Sequence, residues 1–191
     1  MIKALLISTL LAFTGIVEAD KVKVDVDAST VKWVGKKVTG QHNGSIALKG
    51  GRLEMEDGTL TGGLFTIDMT SIVCEDLSGG TKGKLEGHLK SDDFFGVETY
   101  PTATFVITRA VPQGPGKYKV VGNITIKDTT EEIQFPATVE EKDGKYTATA
   151  DLTIDRSKFD IRYGSGSFFD NLGDKTIYDD FELSISLVAA N

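Results

Sequence analysis

KYTATADLTI, residues 145–154, alternates with a period of two. Tyr146, Ala148, Ala150, Leu152 and Ile154 share one face, and Thr147, Thr149, Asp151 and Thr153 the other. Side chains of an extended strand point alternately to the two sides of a sheet, so this run reads as a half-buried β-strand. The pattern recurs along the chain. VKVDV (22–26) alternates valine with charge; LFTIDM (64–69) aligns Phe65, Ile67 and Met69; EIQFPATVE (132–140) aligns Ile133, Phe135, Ala137 and Val139; FELSISL (181–187) aligns Phe181, Leu183, Ile185 and Leu187. YKVVGNITIK (118–127) keeps Tyr118, Val120, Ile124 and Ile126 in phase across Gly122, a strand with a bend or bulge. Turn chemistry separates the runs: GG at 50–51, EDG at 56–58, PQGPG at 112–116 and KDG at 142–144.

One segment breaks the period. TKGKLEGHLKS (81–91) sets Leu85 and Leu89 four apart with charged residues between, which predicts a short amphipathic helix despite Gly83 and Gly87. The expected class is all-β: an antiparallel sheet of about eight strands with one short helical segment. Exposed strand edges aggregate, so a chain of half-apolar strands must stack its sheet or close it. A sandwich interdigitates two sheets; a barrel of about eight strands has an interior just wide enough for packed side chains or one small ligand. The inward runs carry Ala103, Gly122, Ala137, Ala148 and Ala150. These either leave room or match bulky phenylalanines across a filled core, and alternation alone leaves both open.

The chain starts MIKALLISTLLAFTGIVEAD: Lys3, an apolar run at 4–13, then Val17-Glu18-Ala19 before Asp20. That is the layout of a secretory signal peptide (1–19) with cleavage after Ala19, leaving one domain at 20–191 of about 172 residues. No later stretch approaches the roughly 20 apolar residues of a membrane span. The expected location is periplasmic or secreted. Cys74 is the only cysteine, so no internal disulfide staples the fold. A formal charge of -7 disfavours nucleic acid and anionic lipid headgroups, which call for clustered Lys and Arg. A homodimer is left open.

Trp33 with QHNGSI (41–46), GGLFTIDMTSI (62–72), LEGHLKSDDFFGVETYPTATF (85–105), NITIKDTTEEIQFP (123–136) and IDRSKFDIRYGS (154–165) occur in this order over nearly the whole of the mature chain. Together they resemble the YceI-like family of polyisoprenoid-binding proteins. The resemblance implies an extended, lipocalin-like antiparallel β-barrel with a helical segment, exported to the periplasm, that holds the apolar chain of an isoprenoid-type or other amphiphilic lipid. Where the family often has Gly after the TIK run, this chain has Asp128, a residue that tolerates left-handed turns.

A hydrocarbon chain in a dry tunnel gains about 0.8 kcal/mol per buried CH₂, so such a site needs shape and apolarity rather than catalytic groups. Candidate lining residues are Phe65, Ile67, Phe94, Phe95, Phe105, Ile107, Phe159, Ile161, Phe168 and Phe169, each of which also serves as ordinary core. Phe94 and Phe95 are expected at or near the entrance. The corresponding function is an exported binding protein for a polyisoprenoid, isoprenoid quinone or similar amphiphile, acting in transport, storage or sequestration with no catalytic step and no cofactor.

The competing class is a metal-dependent or other enzyme built on His88, Asp92 and Asp93. His42, His88, Cys74, Asp92 and Asp93 offer ligands, but HxxxH, CxxC and EF-hand spacings are missing, so no metal site is expected. No GxSxG elbow occurs, and GSGS at 164–167 reads as a flexible loop. Adjacent Asp92 and Asp93 suit turn capping, with His88 fixing the same corner and Pro101 setting the start of the next strand. Asp68, opposite the apolar face, and Arg156, at a strand's end, suggest a bidentate pair bracing the barrel. Trp33 reads as a core anchor or barrel plug. The sequons at Asn43 and Asn123 matter only in a eukaryotic secretory route. An outer-membrane barrel also alternates, with apolar residues outward; one Trp and five Tyr make thin girdles for one.

Overall fold

The computed structural model describes residues 19–190; the signal-peptide reading of 1–19 lies almost wholly outside them. Eight strands run β1 (Asp20–Lys37), β2 (Gly40–Glu56), β3 (Thr59–Cys74), β4 (Thr102–Gly114), β5 (Lys117–Ile126), β6 (Thr129–Lys142), β7 (Lys145–Asp155) and β8 (Ile177–Ala190), with α1 (Gly79–Lys90) between β3 and β4. Among the described residues each strand pairs antiparallel with the next and β8 returns to β1, so the sheet closes as a barrel in which every strand has two neighbours. The chain closes its sheet rather than stacking it.

Two hairpins follow their turn chemistry closely. Asp57-Gly58 and Asp143-Gly144 each take positive φ at both positions (48° and 75°; 53° and 74°), the mirror-image turn whose twist matches the flanking strands. Other turn expectations are corrected. Gly50-Gly51 is no turn: β2 passes straight through it, with a register shift between Leu48 and Gly50 where the missing side chains allow a bulge. PQGPG contracts to a turn at Pro115-Gly116, since β4 runs on to Gly114. In the turn that ends the TIK run the left-handed residue is Lys127 (φ 56°), the last of the run itself, so Asp128 does not carry the strain.

The interior is packed at both ends. At one end Val22, Leu53, Met55, Leu60, Tyr118, Val120 and Ala189 form a dense plug, with the Leu60 N–H donating to the Tyr118 hydroxyl at 3.3 Å. At the other, Met69, Ile72, Phe94, Ile126, Ile154, Phe159 and Ile161 gather beneath α1 and the residues after it. That second end is flared. β3 pairs with β4 only over 63–68, and β6 with β7 only over 137–142. Beyond Ala137 and Ala150 strands β6 and β7 part, leaving a seam in the wall. Pro136, which has no N–H to offer a ladder, stands at the residue where the pairing stops.

Candidate functional site

Between the two packed ends lies an apolar cavity of about 220 Å³. Its wall is built by the period-two rule, which sends Phe65, Ile67 and Met69 of β3, Ala103, Phe105 and Ile107 of β4, and Phe181, Leu183 and Ile185 of β8 inward. Several of these, including Ile67, Phe105, Phe181 and Leu183, keep partial accessibility although they point into the barrel, because they face open space and not other atoms. Between these inward residues the same strands carry mostly polar ones, among them Thr66 and Asp68, Thr102 and Thr104, and Glu182 and Ser184, so the apolar face is the inner one, the reverse of a membrane-spanning barrel. Among the described residues no helix is long and apolar enough to cross a membrane.

Small residues make part of this room. Ala103, Ala137, Ala148 and Ala150 line the cavity. Gly122 works differently: a Cβ there would stand 2.6 Å from the Phe105 ring, so its missing side chain seats that ring against the wall. Gly44 does the same for Trp33, whose ring would come within 2.6 Å of an added Cβ. Trp33 is therefore a wall panel of the cavity rather than a plug, and its Nε1–H donates to the Ser45 carbonyl at 3.3 Å.

Six of the ten sequence candidates, Phe65, Ile67, Phe94, Phe95, Phe105 and Ile107, face the cavity. The other four are placed elsewhere. Phe159 and Ile161 are 1% and 0% exposed and pack beneath the flared end, outside the cavity wall. Phe168 and Phe169 stand on the surface, 39% and 50% exposed, where the Arg162 guanidinium lies 5.0 Å from the Phe168 ring centre. They follow the strand β7, so the alternation that sorts inside from outside does not reach them. Conversely, Leu48, Ile124, Ile133, Phe135, Leu152 and Leu183 line the cavity, and their place in alternating runs was the signal that marked most of them.

The cavity's polar border is at the flared end, where Lys36, Arg156, Tyr178 and Asp180 join the lining. Arg156 is 2% exposed and works as a clasp. Its Nη1 donates to the Ile161 carbonyl at 2.7 Å, Nη2 to Ile177 at 3.0 Å and Nε to Tyr178 at 3.2 Å. Nη2 also stands 3.2 Å from Asp179 Oδ1, and the guanidinium lies over the Phe94 ring at 5.2 Å. The carboxylate partner is thus Asp179 and not Asp68: Asp155 ends β7, and the chain turns back there, bringing the start of β8 to Arg156. Burial pulls the Arg156 pKa down, opposed by Asp179 and then Asp155. Asp68 instead accepts from its neighbour Thr70, at 2.6 Å from the hydroxyl and 3.0 Å from the amide, and that hydroxyl holds its carboxyl below the usual range.

The residues of the enzyme alternative do not converge. His88 stacks edge-on against Phe94 and Tyr163, at ring distances of 5.7 and 4.3 Å, with Nε2 buried and without a hydrogen-bond partner. Asp92 and Asp93 are exposed and join no metal-ligating group found among the described residues. GSGS is no loose loop: Ser165 is fully buried, and the Ile177 N–H ties Gly164 down at 2.8 Å. At the rim, the Lys32 ammonium lowers the Glu75 pKa, and the Asn43 amide, then His42, lower that of Asp76. Burial raises the Cys74 thiol.

This architecture has close counterparts among solved structures. BcnA of Burkholderia cenocepacia is 27% identical with a TM-score of 0.72, over 87% of this chain and 99% of its own. A domain from Saccharophagus degradans, described as polyisoprenoid binding and implicated in plant cell wall breakdown, is 15% identical with a TM-score of 0.64, over 88% and 97%. The YceI protein of Campylobacter jejuni is 20% identical with a TM-score of 0.56, over 100% and 90%. A comparison with curated proteins found no match. Residues 22–189 match the YceI-like domain along the full closed barrel, and with strand order, helix and cavity all in place the chain belongs to the YceI-like domain family.

Proposed function

We propose that the protein is an exported lipid-binding protein that holds the chain of a polyisoprenoid, an isoprenoid quinone or a similar amphiphile in its barrel, for transport, storage or sequestration, without a catalytic step. The observation that carries this reading is the cavity itself: enclosed by eight strands and lined almost throughout by aliphatic and aromatic side chains, with its charged groups at one end. Such a volume offers an apolar chain burial and offers a polar substrate almost nothing to bond. The name of the Saccharophagus degradans relative points to the same ligand class. The signal-peptide layout of residues 1–19 supports delivery to the periplasm or outside the cell.

The test is native mass spectrometry with organic extraction of protein purified from its own host. A stoichiometric lipid adduct is expected. Recovery of no lipid, and no uptake of a prenyl alcohol or prenylquinone from micelles, would sink the reading. Ala150→Phe, which fills the lumen from β7, is expected to abolish retention while the β-sheet circular dichroism spectrum is unchanged.

A further inference from the structure

At the rim beneath α1, three side chains from separate segments converge: His42 of β2, Cys74 at the end of β3, and Asp76 just after it. The pairing of Gly44 with Cys74 brings them together across 32 residues of sequence, which is why no spacing rule marks them. One ligand atom from each, an imidazole nitrogen, the thiol sulfur and a carboxylate oxygen, all lie within 4.8 Å of one another. His42 Nδ1 is 2.8 Å from Asp76 Oδ2, and Cys74 Sγ is 3.1 Å from Asp76 Oδ1. None of the three lines the cavity.

We propose that His42, Cys74 and Asp76 form a binding site for a divalent transition-metal ion of borderline softness, with Zn²⁺ the best fit. In a tetrahedral zinc site the N, O and S ligands sit about 2.0 to 2.3 Å from the ion and hence about 3.3 to 3.6 Å from one another. The present separations reach that geometry by small side-chain rotations. The donor set excludes the alternatives: thiolate disfavours Mg²⁺ and Ca²⁺, while imidazole, thiolate and carboxylate together suit zinc. Charge closes as well, since one thiolate and one carboxylate neutralise a divalent ion.

The surroundings hold the ligands in place. The Asn43 N–H donates to Asp76 Oδ1 at 3.0 Å, the Cys74 N–H donates to Glu86 of α1 at 2.8 Å, and the Glu75 N–H donates to the Asn43 carbonyl at 2.8 Å. Cys74 is fully buried, whereas the His42 and Asp76 side chains are 33% and 29% exposed, which gives an ion its approach. On binding, the thiol proton leaves to solvent as the S–Zn bond forms. His42 coordinates through Nδ1 with its ring proton on Nε2, and Asp76 brings none. Water completes the fourth position. The ion would tie β2 and β3 to the segment that leads into α1.

Reduced, chelator-treated full-length protein is dialysed against Zn²⁺ and, separately, Co²⁺. One ion per chain is expected at micromolar free metal, with one proton released per zinc, a raised melting temperature, and a thiolate-to-cobalt charge-transfer band in the near ultraviolet. Cys74→Ser is expected to abolish that band. Because Cys74 is buried and its variant could fail to fold, the partly exposed His42→Gln and Asp76→Asn provide the second reading. Each is expected to weaken retention at least about tenfold with an unchanged circular dichroism spectrum. No retained ion in wild type, or undiminished retention in both of these variants, would overturn the proposal.

Discussion

Arg156 is a cation almost wholly withdrawn from water, with its donors spent on three backbone carbonyls and the Asp179 carboxylate beside it as counter-charge. Removing it strands those acceptors, so Arg156→Met is expected to cost about 3–5 kcal/mol of unfolding free energy by urea denaturation. Arg156→Lys, a point charge without the fork, is expected to recover less than half of the loss. Its position at a strand's end was legible in the sequence; its partner was not, because the return of the chain to the start of β8 is a property of the loop. Asp68 shows the other side of local chemistry. Held below its ordinary 3.8 by the Thr70 hydroxyl, it adds stability above that pH, and the contribution is lost as the pH falls through its lower folded value. Thr70→Val is therefore expected to destabilise at pH 7, with the gap from wild type closing in denaturation curves taken well under pH 3.8.

Among the elements, α1 is the loosest. Ser78 makes no side-chain cap, no residue of the helix is fully buried, and four of its twelve residues are glycine. Its hold on the barrel comes from Glu86 on the Cys74 amide and from Leu89 at the cavity wall. Its amides are expected to exchange faster than those of β1, β5 and β8 in hydrogen-exchange measurements. Gly83 and Gly87 have open space where a Cβ would go, so Gly83→Ala and Gly87→Ala should each stabilise the helix by about 1 kcal/mol, read as slower α1 exchange. The strands were legible because half-burial writes a period of two, and the Asp-Gly turns because only a few residues accept positive φ. Gly50-Gly51 misled because a bulge and a turn use the same residue.

At the scale of the molecule, the lumen sets a length. An apolar chain gains from burial only as far as the cavity wall reaches, so units beyond the lumen add little. Affinity in a series of prenyl alcohols is thus expected to climb with each added unit up to that length and to level off beyond it, measured by displacement of a fluorescent fatty probe. The six aromatic and aliphatic liners on strands and on the segment after α1 could be listed from sequence, but hollowness could not. Whether alanines face a gap or a neighbour's ring depends on strand register, as Ala150 and Gly122 show from opposite sides. The seam between β6 and β7 carries one last implication. A ring of eight full ladders has a fixed girth, whereas this one is riveted over 137–142 and unriveted above Pro136, like a split washer. Glu131 and Glu132 stand on one side of that seam and Asp151 and Asp155 on the other, and along this stretch β6 and β7 share no ladder that a wider bore would have to break.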